Sequence, residues 1–376
     1  MKEAELLDRL RLARTDGVGP VTYRRLLSRF ATAAEALEAL PSLAKSGGRA
    51  TPPVVPAVGS VQREVDSVAK LGGRILVLDG PDYPPLLALL DAPPPVLAVL
   101  GDVGALAARA VAVVGARNAS ANGQRMAELL AADLALAGLV VVSGMARGID
   151  TAAHIGAMSA GRTVAAIASG IDIAYPPENA ALQRRVAEGG AVVAEAPFGT
   201  APQARHFPRR NRVIAGLSLG VVVVEAAPQS GSLITARLAQ DQGREVFAVP
   251  GSPLDPRCRG SNDLIRSGAH LTERAADVLA NLPDHPNREG LARSPLFARG
   301  LPPGLADSPS ETFSPVPNAD LVRSRVMELL SYSPTAVDDL VRRCQFSASA
   351  VLTALLELEL AEKVEMLPGN QVSLVE

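Results

Sequence analysis

Short, unbroken apolar runs recur through the middle of the chain, and segments with helical spacing separate them. An unbroken run of valine and alanine is typical of a strand that is buried on both faces of a sheet. Asn122–Leu136 and Thr235–Gln240 are examples of the helix-like segments between the runs. The repeated strand–helix units predict an α/β fold over residues 61–282, a doubly wound parallel sheet with right-handed crossovers. The predicted strands are Ile75–Leu78, Val96–Leu100, Val111–Val114, Val140–Val142, Val164–Ala168, Val192–Ala194, Val221–Val224 and Val246–Val249.

Residues 1–60 have the pattern of short helices. Within Leu10–Phe30, the turn sequence Gly17-Val18-Gly19-Pro20 separates two segments with helical spacing, which predicts a helix-hairpin-helix. Such a turn can present backbone N–H groups to a phosphate. The same sequence also suits a plain helical turn in a small bundle, so both interpretations stay open. Ala50–Gly59, rich in proline and valine, is predicted to be a linker.

The C-terminal part divides into a linker and a small module. Residues 283–317 are rich in Pro, Gly, Ser and Arg without periodicity, which predicts a mobile linker. In residues 318–376, helix-like Val322–Leu330 and Val351–Leu360 precede a hairpin pattern that ends at Val375, and together they predict a winged helix. This module has 5 basic and 9 acidic residues, which favours a protein-contact or structural role over DNA binding.

Composition excludes several classes of protein. None of the apolar runs reaches 18–20 residues, which predicts that the chain does not span a membrane. The first residues, MKEAELLDRLRLAR, contain no apolar signal region, so a cytoplasmic location is expected. Cys258 and Cys344 are far apart and form no CxxC motif, so neither a disulfide framework nor a zinc site is predicted.

Charge is unevenly distributed, although the net charge of the chain is only −2. Between Leu106 and Ala280 there are 17 arginines and no lysine, against 14 acidic residues. A protein with a slightly negative net charge can still bind a polyanion through a local cationic patch.

One cluster of cations stands out. Residues 205–212 contain Phe207 and four arginines without an acidic residue, and Ser230-Gly231-Ser232 then opens a helix after a predicted strand. Cations, an aromatic ring and a helix start are the parts needed to hold phosphates and stack a base. Phe207 suits either stacking or partial burial, and His206 is a candidate for a pH-sensitive phosphate contact. The arginines are Arg205, Arg209, Arg210 and Arg212.

Glycine-containing turns follow three of the predicted strands. They are Gly115-Ala116-Arg117, the loop from Ser143 to Asp150 with Gly144, Arg147 and Gly148, and Ser169-Gly170. Strand-to-helix turns often contain glycine for structural reasons alone, but ligands on doubly wound sheets also bind at the carboxyl ends of strands. Together with the 205–212 cluster, these turns predict a phosphate-binding cleft.

The absent motifs restrict the chemistry. The sequence has no GxxxxGK[ST], GxGxxG or HExxH motif, and no catalytic residues, cofactor or metal are predicted. Asp150 and His154 share a helix face and could in principle form an acid–base pair. Ordering of the helix start is the favoured interpretation of this pair.

Five sequence blocks resemble the bacterial DNA-processing protein A family, DprA, also called Smf. They are SGMARGIDTAAH (Ser143–His154), FPRRNRVIAGLS (Phe207–Ser218), SGSLITA (Ser230–Ala236), VPG (Val249–Gly251) and GSNDLIRSGA (Gly260–Ala269). Less sharply, the N-terminal region is similar to the family's sterile-alpha-motif-like domain, and the C-terminal module to its winged-helix domain.

The resemblance implies an extended Rossmann domain that forms a homodimer. It implies binding and protection of incoming single-stranded DNA during natural transformation, and help in loading the RecA recombinase, without enzymatic activity. Ser169, Gly170 and Arg205 belong to the predicted site through their position in the strand-end turns and the cation cluster. The motif positions imply DNA contacts by Arg117, Ser143, Gly144, Arg147, Gly148, Phe207, Arg209, Arg210, Asn211, Arg212, Ser230, Gly231 and Ser232.

An enzyme acting on nucleotides is the alternative hypothesis. Rossmann-like nucleotide phosphoribohydrolases have a similar layout and also use glycine-rich helix starts. They carry a PGGxGT-type motif with a downstream glutamate, whereas SGSLITA occupies the corresponding place here. This difference disfavours the enzyme.

Overall fold

The computed structural model describes residues 2–283, 319–344, 346–367 and 369–375. These residues form two compact units. The sheet unit comprises residues 63–90 and 96–287, and the terminal unit comprises residues 1–62, 91–95 and 288–376, as far as they are described. Residues 284–317 of the predicted linker lie outside the described residues. The predicted domain boundaries at 60, 282 and 317 stay predictions.

Eight of the strands in the sheet unit match the eight apolar runs of the sequence. An additional strand of two residues, His270–Leu271, is too short to produce a recognisable run. The strands are β1 Arg74–Val77, β2 Val96–Gly101, β3 Ala110–Gly115, β4 Val140–Ser143, β5 Thr163–Ile167, β6 Ala191–Ala194, β7 Gly220–Val224, β8 Glu245–Ala248 and β9 His270–Leu271.

Helices connect the strands and build most of the terminal unit. Each α-helix is numbered here in chain order. They are α1 Glu3–Ala13, α2 Pro20–Arg29, α3 Ala33–Ser46, α4 Val58–Lys70, α5 Pro85–Ala88, α6 Ala121–Leu136, α7 Ile149–Ala160, α8 Ala180–Gly189, α9 His206–Gly216, α10 Gly231–Asp241, α11 Arg259–Arg266, α12 Ala275–Asn281, α13 Ala319–Leu329, α14 Val337–Cys344 and α15 Ala348–Leu360.

The nine strands of the sheet unit have the order β1-β2-β6-β5-β4-β3-β7-β8-β9. The predicted parallel arrangement extends from β6 to β9. At the other edge, β1 and β2 pair antiparallel with each other, and β2 pairs antiparallel with β6. The apolar pattern does not show this edge, because strand direction depends on the connection. Here only the one-turn helix α5 lies between β1 and β2, so no long crossover helix returns the chain.

A continuous apolar core holds the crossover helices against the sheet. Leu130 and Leu134 of α6 pack with Ala153 of α7 against the valines of β3, β4 and β7. Each fully buried leucine side chain contributes roughly 1.5–3 kcal/mol relative to an exposed one. Helices α6 and α7 approach closely at Gly156, where a Cβ atom would lie 2.1 Å from the carbonyl oxygen of Glu128.

The strand order reverses between β3 and β7. From β3 the chain adds β4, β5 and β6 on one side, and it then returns to add β7, β8 and β9 on the other. Loops at the carboxyl ends of strands near such a reversal diverge and leave room for a ligand. The glycine-containing turns after β3, β4 and β5 all open at this edge.

The terminal unit contains the predicted helix-hairpin-helix and winged helix. Pro20 occupies the first turn of α2, and Gly17 adopts a φ of +79°, so the predicted turn lies between α1 and α2. Helix α4 begins at Val58, inside the predicted linker Ala50–Gly59. In the winged helix, α13, α14 and α15 pack with the sheet β10-β12-β11. Its strands are β10 Thr335–Ala336, β11 Val364–Leu367 and β12 Gln371–Leu374.

Candidate functional site

A groove of about 230 Å³ lies at the carboxyl ends of β3, β4 and β5. Turns from three strands and the first residues of α9 form its walls. The lining contains cations, two aromatic rings and small residues, but no carboxylate, imidazole or thiol. The lining residues are Arg117, Asn118, Gly144, Ala146, Arg147, Ala168, Tyr175, Pro176, Phe207 and Arg210.

The loop between β4 and α7 has an unusual backbone that shapes the groove. Met145 is fully buried and adopts a φ of +60°, a conformation that non-glycine residues rarely adopt. Asn179 stabilises this turn by donating a hydrogen bond of 2.8 Å to the Met145 carbonyl. At Gly148, a Cβ atom would lie 2.4 Å from the carbonyl oxygen of Ala116, so only glycine lets the β3 and β4 loops pack this closely.

Asp150 holds the same loop from inside. Its buried carboxylate accepts hydrogen bonds from the backbone N–H groups of Gly144 at 3.2 Å and Ala146 at 3.3 Å. Burial raises the pKa of Asp150, while the nearby Arg210 guanidinium and these hydrogen bonds oppose the rise. The N-cap of α7 is Gly148, so Asp150 orders the helix start from the first turn rather than as its cap.

His154 is unsuited to acid–base chemistry. Its side chain is completely buried, and Nδ1 lies 2.7 Å from the Thr163 hydroxyl. Burial, with a smaller effect of the Arg210 charge, lowers the pKa of His154 to about 3. A neutral imidazole without solvent contact is a structural group, which supports the structural interpretation of the Asp150–His154 pair.

The arginines of residues 205–212 divide into two groups. Arg210 is buried and donates hydrogen bonds to the carbonyl oxygens of Gly144 and Ala166, the second at 3.2 Å. Arg212 forms an ion pair of 2.9 Å with Glu195. Arg205 and Arg209 are exposed around the first turn of α9. That turn has no acidic residue, so its unpaired N–H groups add positive potential.

An aromatic pair lies among the cations. The rings of Phe207 and Tyr175 meet edge to face with centroids 5.8 Å apart. The guanidinium carbons of Arg117 and Arg210 lie 5.1 Å and 5.9 Å from the Phe207 centroid, within cation–π range. Tyr175 is 43% exposed. The groove therefore offers accessible ring surface beside an exposed guanidinium, that of Arg117.

Comparison with known families identifies three regions of the chain. Residues 74–283 match the family described as DNA recombination-mediator protein A. Residues 3–67 match a DprA-like N-terminal HHH domain, and residues 309–370 match a DprA winged helix domain.

The chain belongs to the DprA family.

Individual DprA relatives agree with this assignment. Protein Smf of Escherichia coli is 39% identical over 303 residues, which cover 80% of this chain and 77% of the relative. The X-ray structure of DprA from Streptococcus pneumoniae superposes with a TM-score of 0.64 and 34% identity, covering 76% of this chain and 99% of that one. The extended Rossmann-like fold expected from the resemblance is therefore confirmed.

A second solved structure concerns a ligand. DNA processing protein A from Helicobacter pylori was described for its single-stranded DNA binding mode. It superposes with a TM-score of 0.50 and 29% identity, and covers 55% of this chain and 95% of that one.

The structure brings only part of the predicted DprA site into the groove. Arg117, Gly144, Arg147, Phe207 and Arg210 line it. Two predicted residues, Ser143 and Ser169, have buried side chains that donate to the carbonyl oxygens of Val113 and Ile173, so their hydroxyls are not available there. The remaining predicted residues lie outside the groove lining: Gly148, Gly170, Arg205, Arg209, Asn211, Arg212, Ser230, Gly231 and Ser232.

The Ser230–Ser232 turn has a structural function at the start of α10. The Ser230 side chain accepts a hydrogen bond from the Ser232 N–H, and the two hydroxyl oxygens lie 2.7 Å apart. Asn211 of α9 donates a 3.4 Å hydrogen bond to the Gly231 carbonyl. The turn therefore supports α9 from behind, while Gly231 itself remains exposed.

Tyr175 was missed by the sequence reasoning. It belongs to the segment after β5, where IDIAYPPEN contains no cation cluster or recognised motif. Only the folded loop shows that this ring meets Phe207. Its signal in the sequence was its rarity, because the chain has 4 tyrosines, 7 phenylalanines and no tryptophan.

None of the described helices is long and apolar enough to span a membrane.

Proposed function

We propose that the groove binds single-stranded DNA. The observation that carries the proposal is the Phe207–Tyr175 pair beside Arg117, with the exposed Arg205 and Arg209 on the adjoining turn. Aromatic rings stack on bases irrespective of sequence, and guanidinium groups neutralise the phosphates on either side. The single-stranded DNA binding mode of the Helicobacter pylori relative supports the same assignment.

The form of the groove favours a single strand over a duplex. Stacking requires base faces that are free, and in a duplex these faces are covered by the neighbouring base pairs. With a volume of about 230 Å³, the groove is below the range of roughly 300–1,000 Å³ typical of pockets that enclose small molecules. An open groove of this size suits one or two bases of a longer strand.

The proposal extends from binding to a role in the cell through family membership. We infer that this cytoplasmic protein binds and protects incoming single-stranded DNA during natural transformation, helps to load RecA, and acts as a homodimer. These finer assignments rest on the family alone, since the described residues do not identify the RecA-contact or dimer surface.

We also propose that the protein acts without catalysis. Hydrolysis of a glycosidic or phosphodiester bond needs a general acid, a general base or a metal. Within the described residues, those that line the groove include no carboxylate, imidazole or thiol. Asp150 and His154 beside it are buried, and the exposed carboxylate of Glu178 is paired with Arg147. This argues against the nucleotide phosphoribohydrolase alternative.

Binding of a labelled oligothymidylate, followed by fluorescence anisotropy over a series of salt concentrations, tests the proposal. Replacing Arg117 or Arg209 by alanine is expected to weaken binding roughly tenfold, because each removes one charge-assisted contact. The slope of log K against log salt should fall by about 0.7 for each lost phosphate contact.

Arg162 provides the matched control. It directly precedes β5 at the opposite edge of the sheet, where it pairs with Asp102 on the surface. Arg162→Ala should leave the affinity and the salt slope unchanged. Equal losses in all three variants would indicate non-specific binding to positive surface, and unchanged affinity in both Arg117→Ala and Arg209→Ala would reject the site.

A further inference from the structure

Helix α15 is buried on two sides, although it belongs to a small domain. One side, with Val351, Leu355 and Leu358, packs in the winged-helix core. Leu356, Glu357 and Leu360 are also buried, but lie outside that core cluster. The C-terminal half of the helix is therefore buried on both sides and must have a second partner, whereas Leu352 in the N-terminal half is exposed.

The second partner is the N-terminal helical region. Gly47, which directly follows α3, lies so close to α15 that a Cβ atom would come within 1.8 Å of the Glu357 carbonyl oxygen and 2.9 Å of the Ala361 Cβ. Val21 of α2 packs against the winged-helix core. Gly47 has a φ of −68°, which any residue can adopt, so the close approach, and not the backbone conformation, requires glycine.

Polar contacts tie the same two regions together. Arg49 donates a 3.2 Å hydrogen bond to the Leu360 carbonyl, one of the last carbonyls of α15 that has no partner within the helix. The same guanidinium pairs with Glu362 at 3.0 Å and with Asp16 at 3.5 Å. One side chain therefore caps α15 and connects it to the turn between α1 and α2.

Two largely buried, opposite charges influence each other within this contact. Arg25 of α2 and Glu359 of α15 interact electrostatically. Burial lowers the pKa of Arg25 and raises the pKa of Glu359, and each charge partly offsets the effect on the other. Removing either charge leaves the other one buried without compensation.

We propose that α15 is a protein-docking helix and that its occupant is the N-terminal helical domain of the same chain. In winged-helix proteins that bind DNA, the helix at this position enters the major groove and carries basic residues. Here α15 contains no Lys or Arg, carries Glu357 and Glu359, and its C-terminal half is covered.

The docking also affects the helix-hairpin-helix turn. A Cβ atom at Gly17 would lie 3.7 Å from the Glu362 Oε1 atom, so a carboxylate of the winged helix lies beside this turn. A carboxylate repels the phosphate that the turn could otherwise bind. The helix-hairpin-helix turn and α15 are the two elements whose topology suggests contact with duplex DNA, and they therefore cover each other. The groove of the sheet unit remains as the candidate site for DNA.

Amide hydrogen exchange of the full-length chain tests this docking, with Gly47→Ala as the disrupting variant and Gly19→Ala as its control. Gly19 lies in the same domain, has a φ of −79°, and has no atom within 4 Å of its Cβ position. Gly47→Ala is expected to accelerate exchange across Glu357–Lys363 by roughly tenfold, although the change lies at the end of α3, whereas Gly19→Ala should not. Unchanged exchange there in Gly47→Ala would overturn the proposal.

Exchanging the charges of residues 25 and 359 distinguishes loss of docking from simple misfolding of a variant. Arg25→Glu and Glu359→Arg should each accelerate exchange in both regions, and combining them should restore much of the protection. Acceleration in the double variant equal to the sum of the two single effects would contradict an electrostatic interaction between residues 25 and 359. Protection of α15 that falls on dilution would assign the occupant to a second copy and overturn docking within one chain.

Discussion

Helices α9 and α15 are similar in length but present opposite surfaces. The N-terminal half of α9 carries Phe207 and Arg210 into a groove and exposes Arg209 beside it, while its C-terminal half, with Val213 and Ile214, is buried. Helix α15 has no cation, and its C-terminal half is buried on both sides. Only α15 occupies the position of a recognition helix in a DNA-binding topology. The comparison shows that charge and exposure decide whether a helix can meet a nucleic acid, and topology does not.

The same distinction operates within α9, between neighbouring residues. Arg209 is exposed, whereas Arg210 is buried between the Gly144 and Ala166 carbonyls and close to Asp150. Successive residues on a helix point about 100° apart, so one faces solvent and the next faces the sheet. Only Arg209 is fully free to exchange water for phosphate.

The largest expected effect distinguishes these two arginines by stability. Arg210→Ala should lower the free energy of unfolding of the sheet unit by about 3–5 kcal/mol, because Asp150 then remains buried without its cation. Arg209→Ala should change it by less than about 0.5 kcal/mol, as for most surface substitutions. Urea denaturation followed by circular dichroism measures both. Similar losses in the two variants would remove the distinction between a structural and a ligand-binding arginine.

Acidification should destabilise the sheet unit through His154, whose side chain is completely buried. His154 has a folded-state pKa of about 3 and an ordinary value of 6.5. Between these values only the unfolded state binds the proton, so stability is full above pH 6.5 and decreases as the pH falls. The expected loss between pH 6.5 and 5 is about 2 kcal/mol.

The variant His154→Gln isolates this effect, since glutamine is neutral at every pH and retains a polar group for Thr163. It should be less stable than the parent at pH 7 and should lose less stability on acidification. If the parent and His154→Gln show the same slope of unfolding free energy against pH, the folded state does not lower the pKa of His154.

The sequence predicts the sheet well because each central strand is an unbroken apolar run, as in Val221–Val224. It does not predict the antiparallel edge, since β1 and β2 have the same composition as parallel strands. The cluster of cations in residues 205–212 predicts the candidate site. It does not predict that Arg209 is exposed and Arg210 buried, because this difference depends on Asp150 of another loop. The sequence also does not predict the contact of Tyr175 with Phe207 or the packing of the N-terminal helical region on α15, because each contact joins segments that are distant in the chain.

Aromatic rings offer a matched comparison between the two units. Phe207→Ala should weaken oligothymidylate binding by about 1–3 kcal/mol, the usual contribution of one stacked base. Tyr332 of the terminal unit is 67% exposed and serves as the control, so Tyr332→Ala should leave affinity unchanged. Phe207→Trp should retain binding. Equal loss in Phe207→Ala and Tyr332→Ala, measured by anisotropy, would place DNA on both units and weaken the contrast between α9 and α15.

The smallest expected effect is a pH dependence of DNA binding through His206. Desolvation and the charges of Arg205 and Arg209 lower the pKa of His206, so the free protein holds it neutral at pH 7. A phosphate nearby would raise this pKa, so binding takes up a proton and affinity must increase as the pH falls below the ordinary value of 6.5. The increase should be only a few-fold, because a solvent-screened ion pair contributes roughly 0.2–1 kcal/mol. His206→Gln should abolish it, and an equal pH dependence in this variant would show that His206 does not meet the DNA.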